Sequence, residues 1–173
     1  MTNKPFRELC QGRHSKKVAL KIIDDVLRDP SRMDELMECF FDDELRICQR
    51  AAWPVGMISE HNPHLILPYL EEMLLNLEHS KHDALIRNTF RTLQNMDVPE
   101  DIEGLAFEKA FNYLLNPQNA IAIRVFAMTV CANIAKKYPE LKHELIPVIE
   151  EQIPYGSAGF VNRGHKILKA LKK

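Results

Sequence analysis

Two stretches of this chain repeat one pattern. LPYLEEML at 67–74 and IPVIEEQI at 146–153 both run aliphatic, proline, bulky, aliphatic, two glutamates, a free position and an aliphatic. Each follows a histidine, His64 or His143, four residues before its proline, and the copies lie 79 residues apart. A second marker recurs at about half that interval: Arg46, Arg87, Arg124 and Arg163 are separated by 41, 37 and 39 residues. A period near forty is the length of a two-helix unit, which cannot bury its apolar sides alone and must stack on its neighbours. The repetition restricts the chain to a series of stacked units, with the twin phrases two units apart.

The units are helical. No segment keeps the apolar–polar alternation of a half-buried strand, whereas helical periodicity runs almost throughout. Helices are expected near 14–28, 31–41, 43–60, 63–77, 80–96, 100–115, 118–137, 140–153 and 157–172. Pro30, Pro63, Pro99, Pro117 and Pro139 stand at or near helix starts, where the missing N–H costs no intrahelical bond. Asn62 and Asn116, each just before a proline, are expected N-caps. GSAG at 156–159 is a further joint. These nine helices give an all-α chain of antiparallel hairpins in one domain over 1–173. A capping helix at 14–30 precedes repeats at 31–61, 62–97, 98–138 and 139–173.

The unit resembles a HEAT repeat of the armadillo-type superhelical fold. In that family an apolar first helix, often with proline, leads through an Asp/Asn-Pro turn into a Val-Arg and an alanine-rich second helix. YLLNPQNAIAIRVFAMTVCANIA (113–135) and LPYLEEMLLNLEHSKHDALIRNTFRTLQNM (67–96) follow this scheme. So do LMECFFDDELRICQRAAWPVGMI (36–58) and LIPVIEEQIPYGSAGFVNRGHKILKAL (145–171), the last with a glycine-containing turn. The resemblance covers 31–172 and implies a right-handed α-solenoid with second helices on its concave side. It also implies that Arg46, Arg87, Arg124 and Arg163 bond to the turns, where Asp42 and Asn116 offer acceptors. The function implied is that of a protein-binding scaffold. The repeated His-Glu pairs of a HEAT di-iron enzyme are missing, since His143–Glu144 is the one such pair.

Composition narrows the function further. Ten prolines against six glycines suit abrupt-ended helices better than nucleotide-cradling loops. No apolar run approaches the roughly 18 residues that span a bilayer. The opening MTNKPFRELCQGRHSKK lacks the apolar stretch of a secretory signal. Cys10, Cys39, Cys48 and Cys131 are scattered without a CxxC among mostly apolar neighbours, which reads as buried reduced thiols in the cytoplasm. No P-loop, GxGxxG, GxSxG or HExxH occurs, so no catalysis is expected. The HxxH pairs His61–His64 and His79–His82 fall at helix joints, where solvated polar residues are ordinary. No metal and no cofactor is assigned to them.

Charge is unevenly spread. Residues 1–28 carry +4, 29–156 carry −10 and 157–173 carry +5, for a net −1. The near-neutral total argues against bulk nucleic-acid affinity and leaves room for local patches. Helical spacing places Leu45, Cys48, Ala52 and Val55 in the core, with Ile86, Phe90 and Leu93 and with Ile123, Phe126, Val130 and Ile134. The opposite faces then carry Arg46, Arg50, Trp53 and Met57; Arg87, Arg91 and Asn95; Arg124, Met128 and Cys131; and Arg163, Lys166 and Lys169. Acids gather on first helices: Asp34, Glu35, Glu38, Glu71, Glu72, Glu103, Glu108, Glu150 and Glu151. The expected binding groove comprises Arg46, Arg50, Trp53, Arg87, Arg91, Asn95, Arg124, Met128, Arg163 and Lys166. An acidic or amphipathic protein segment is its expected ligand, Trp53 being a residue type that anchors interfaces. The alternative is nucleic acid held by the Arg/Lys stripe, as in HEAT-like DNA alkylation repair proteins.

Overall fold

The computed structural model describes residues 4–13, 15–80 and 82–173. Among them the backbone forms ten α-helices and no strands, in two compact units, Met1–Met96 and Asp97–Lys173. His14, where the first helix was expected to begin, and Lys81, inside the expected fifth, lie outside the described residues.

The N-terminal unit holds α1 (Phe6–Gln11), α2 (Lys16–Arg28), α3 (Met33–Phe40), α4 (Leu45–His61), α5 (Leu70–Leu75) and α6 (Asp83–Leu93). Helix α1 stands ahead of the capping helix expected over 14–30 and was not itself expected. It packs against α3 and α4, while α2 packs against α4. A six-residue helix is marginal by itself, and tertiary contacts hold this one. Phe6 and Cys10 are buried, and the Arg32 guanidinium lies 3.8 Å from the centroid of the Phe6 ring. Arg32 also donates to the Lys4 carbonyl at 3.2 Å and to Glu35 at 2.6 Å. Burying a phenylalanine contributes about 1.5–3 kcal/mol, so this contact supplies a large part of what holds the short helix.

Proline shapes the joints as expected, with tighter turns than a continuous helix. Pro30, Pro63 and Pro139 each open a three-residue 3-10 turn. The helix expected over 63–77 is broken into two 3-10 turns, the short α5 and a third 3-10 turn at Asn76–His79. Pro68 removes an N–H and crowds the carbonyl one turn back, and here the chain tightens around it. Its counterpart Pro147 is instead carried inside a regular helix, Lys142–Gln152. The expected asparagine caps are not made: Asn62 makes no side-chain cap bond, and Asn116 Oδ1 accepts from the Gln118 N–H at 3.0 Å, ahead of the next helix. Ser15, His82 and Ser157 cap instead, accepting from the N–H groups of Val18, Ala84 and Phe160.

The C-terminal unit holds α7 (Glu100–Leu115), α8 (Ile121–Lys137), α9 (Lys142–Gln152) and α10 (Ala158–Leu171). Helix α8 packs against α7, α9 and α10. Small residues let the backbones approach: Ala106 and Ala110 of α7 and Ala127, Cys131 and Ala135 of α8 are completely or almost completely buried. Being covered on several sides, α8 is apolar nearly all round, and that corrects two face assignments. Met128 and Cys131, expected opposite the core, are fully buried, while Phe126, expected inside, is half-buried. Leu45 is likewise corrected, being 44% exposed at the very start of α4.

In each unit second helices pack on second helices, α4 on α6 and α8 on α10. The first of these contacts depends on Gly56. A Cβ there would lie 2.5 Å from Asn88 Oδ1 and 3.3 Å from Asn88 Cβ. Asn88 is itself fixed, its Nδ2 donating to the Ala84 carbonyl at 2.7 Å. Gly56→Ala is therefore expected to destabilise the protein by about 1–3 kcal/mol, the usual cost of overpacking. Urea unfolding measures this as a lower midpoint.

Candidate functional site

The expected groove residues do not form one open stripe. Arg46 and Arg87 are exposed. Arg50 is not part of such a stripe. Its Nη1 donates to the Cys10 carbonyl at 2.7 Å and to the Gly12 carbonyl, tying down the C-terminal end of α1. Arg91 donates through Nε to Glu60 at 2.8 Å and reaches Met57 Sδ at 3.1 Å. Trp53 is half-buried, and Asn95 is exposed beyond the end of α6 with its Nδ2 on the Arg91 carbonyl at 3.2 Å.

In the C-terminal unit the arginines bridge helices. Arg124 donates through Nη2 to Gln152 at 2.6 Å and lies 4.7 Å from the centroid of the Phe160 ring. Burial lowers its pKa from the ordinary arginine value, and arginine remains charged near neutral pH even so. Arg163 donates from Nη1 to Thr129 Oγ1 at 2.7 Å. These bonds staple α8 to α9 and α10. The turn acceptors serve other partners than the resemblance implied. Asp42 pairs with Arg7 and accepts from the Glu44 N–H at 2.8 Å.

Beside the Arg163–Thr129 bond an open groove of about 490 Å³ runs between α8 and α10. Its floor is Ile121, Ala122, Val125 and Phe126 of α8, and its other wall is Gly159, Asn162, Arg163 and Lys166 of α10. Ile121 is 51% exposed. Of the expected site residues, the groove brings together Arg163 and Lys166. Helical spacing assigns Phe126 to the core and Ile121 and Val125 to no face, so it does not predict this apolar floor. The available signal was a surplus: α8 carries more apolar residues than one buried face can hold.

Charge is segregated by layer around this groove. Helices α8 and α10 carry Arg124, Lys136, Lys137, Arg163, Lys166 and Lys169 and no acid. Helices α7 and α9 carry Glu100, Asp101, Glu103, Glu108, Glu144, Glu150 and Glu151 against Lys109 and Lys142. One of these acids departs from the expected exposed layer. Glu103 is 2% exposed and accepts from Lys137 Nζ at 2.6 Å and from the Tyr138 hydroxyl at 2.7 Å.

Among the described residues no group of three or more His, Cys, Asp or Glu side chains is placed to hold a metal ion. Cys10, Cys39, Cys48 and Cys131 are buried and form no disulfide. No helix of the described residues is long and apolar enough to cross a membrane. A family model described as a HEAT repeat domain matches residues 6–171, a span that begins with α1. A comparison with curated proteins gives no match.

The Glu103 contacts make a pH prediction. The Lys137 ammonium, followed by the Tyr138 hydroxyl, holds the Glu103 carboxyl below its ordinary value of 4.5. A carboxyl whose pKa falls on folding stabilises the native state fully above its unfolded value, and that contribution is lost as pH falls through the lower folded value. Glu103→Gln is expected to lower the thermal midpoint near neutral pH and to flatten the decline of the midpoint in acid. Melting followed by circular dichroism across this range checks both effects.

Proposed function

The chain belongs to the HEAT-repeat family, and from that premise we propose that it is a non-catalytic scaffold holding an acidic protein segment on its second helices. HEAT repeats generally serve as protein-interaction scaffolds. The observation that carries the finer reading is the charge segregation: α8 and α10 have no acid, while acids predominate on α7 and α9. In the N-terminal unit the exposed Arg46 and Arg87 stand on second helices as well, and Asp34, Glu38, Glu71 and Glu72 are exposed on first helices. An acidic ligand is attracted to the one layer and repelled by the other, which sets orientation and encounter rate. The buried thiols fit a reducing compartment, and the cytoplasm is part of the proposal.

Nucleic acid is the second reading, favoured by the same acid-free helices. The excess of acids over 29–156 opposes it, and so does an apolar floor that phosphates cannot use. The two readings separate on salt. A duplex held through phosphates would lose affinity with a log–log slope of about −0.9 per phosphate neutralised. Anisotropy of labelled duplex DNA is expected to show no saturable binding at physiological salt.

The scaffold reading is tested by charge reversal. Arg46→Glu, Arg87→Glu and Lys166→Glu, combined, replace exposed groups and are each expected to change stability by no more than about 0.5 kcal/mol. Capture from native extract followed by cross-linking mass spectrometry is expected to join acidic segments to second helices in the wild type and to lose them in the variant. Cross-links confined to α7 and α9 would contradict the reading.

A further inference from the structure

We propose that the groove between α8 and α10 takes a short segment of another protein in which a large apolar side chain is flanked by carboxylates. The inference rests on the scaffold reading and names the occupant of one place on the second-helix layer. Two features of the groove select that chemistry together. The floor is apolar and open, formed by Ile121, Val125 and Phe126, with Ile121 51% exposed. Such a floor is covered favourably by an aliphatic or aromatic side chain and gains nothing from a purely charged one.

The charged residues that line the groove, Arg163 and Lys166, are both positive. Lys166 and Arg163 line the wall formed by α10, and Lys169 follows Lys166 one turn later. The groove also lies at the N-terminal turns of both helices, Ile121–Ala122 of α8 and Gly159 of α10. Helix α8 begins there with no side-chain cap bond at Ala120. Helix N-termini carry partial positive charge, which favours a carboxylate beside the apolar contact. A basic amphipathic segment meets like charge throughout, and a polar acidic tail leaves the floor uncovered.

Arg163 and Thr129 set the far limit of the floor, their mutual bond of 2.7 Å linking the two helices just past Val125 and Phe126. The segment is therefore short: the apolar contact spans Ile121 to Phe126, less than two turns of α8. One or two apolar anchors with acids on either side fill it.

Selection from a random short-peptide phage library on the immobilised full chain tests the proposal. Parallel selections use Ile121→Asp, Lys166→Glu and, as a third bait, Arg46→Glu with Arg87→Glu. Both groove positions are exposed, and an aspartate in the first turn of α8 suits the helix. Melting curves check that each variant is folded. The wild type is expected to enrich peptides with Leu, Ile, Phe or Trp between acids, and anisotropy of one synthesised peptide is expected to weaken about tenfold or more in each groove variant.

Enrichment of basic peptides, of acidic peptides without an apolar anchor, or of none would overturn the groove assignment. Acidic peptides that bind the groove variants unchanged but are lost from the Arg46/Arg87 bait would overturn it too, while leaving the scaffold reading standing. Concentration-dependent self-association in sedimentation, removed by Ile121→Asp, would make a second copy the occupant and also overturn it. Saturable duplex binding at physiological salt, with no peptide enriched by any bait, would overturn both readings.

Discussion

Side-by-side packing of second helices is the constraint on which the rest of this structure depends. A two-helix unit has apolar surface on more than one side and cannot bury it alone. The contact of α4 with α6 is close enough that Gly56 has no room for a side chain against Asn88. The contact of α8 with α10 includes Arg124 over Phe160 and Arg163 on Thr129. Once these helices are fixed side by side, their outer flanks become a surface whose composition is set by the sequence. In the C-terminal unit that surface is basic with an apolar seam.

The arginines illustrate how one residue type serves two ends. The resemblance to HEAT repeats implied bonds from Arg46, Arg87, Arg124 and Arg163 to the turns. Arg124 and Arg163 do make structural bonds, but mainly to neighbouring helices, and Arg46 and Arg87 are exposed. Partly buried arginines that span helices stabilise the stack and lend positive character to its face. Exposed ones are available to a ligand. Periodicity identifies all four as equivalent, because it records position along the chain and not what lies across the interface.

Much of the fold was legible in the sequence for reasons that can be named. Pro30, Pro63 and Pro139 open the turns at joints, where the missing N–H costs no helical bond, whereas Pro147 is carried inside a helix. The recurrence of arginine near every fortieth residue exposed the stacked pairs. Helix α1 was not legible, since six residues are too few to show a period and its stability comes from Arg32, Arg50 and Glu35, brought in from later in the chain. Arg50 was misread for the same reason: its acceptors, the Cys10 and Gly12 carbonyls, lie about forty residues away and leave no mark in its neighbourhood. Met128 was misread because a helix packed on several sides has no single inward face. The groove floor escaped notice as the other side of that error, for the apolar residues left over after the core is filled are the ones that face out.

The most direct test of this packing is a single nuclear Overhauser contact. With α8 and α10 side by side, the Arg124 guanidinium carbon lies 4.7 Å from the centre of the Phe160 ring. A NOESY spectrum of the labelled protein should then show cross-peaks between the Arg124 side-chain protons and the aromatic protons of Phe160. Their absence, with both spin systems assigned, would mean that the two helices are not packed as described, and the basic groove between them would have no walls.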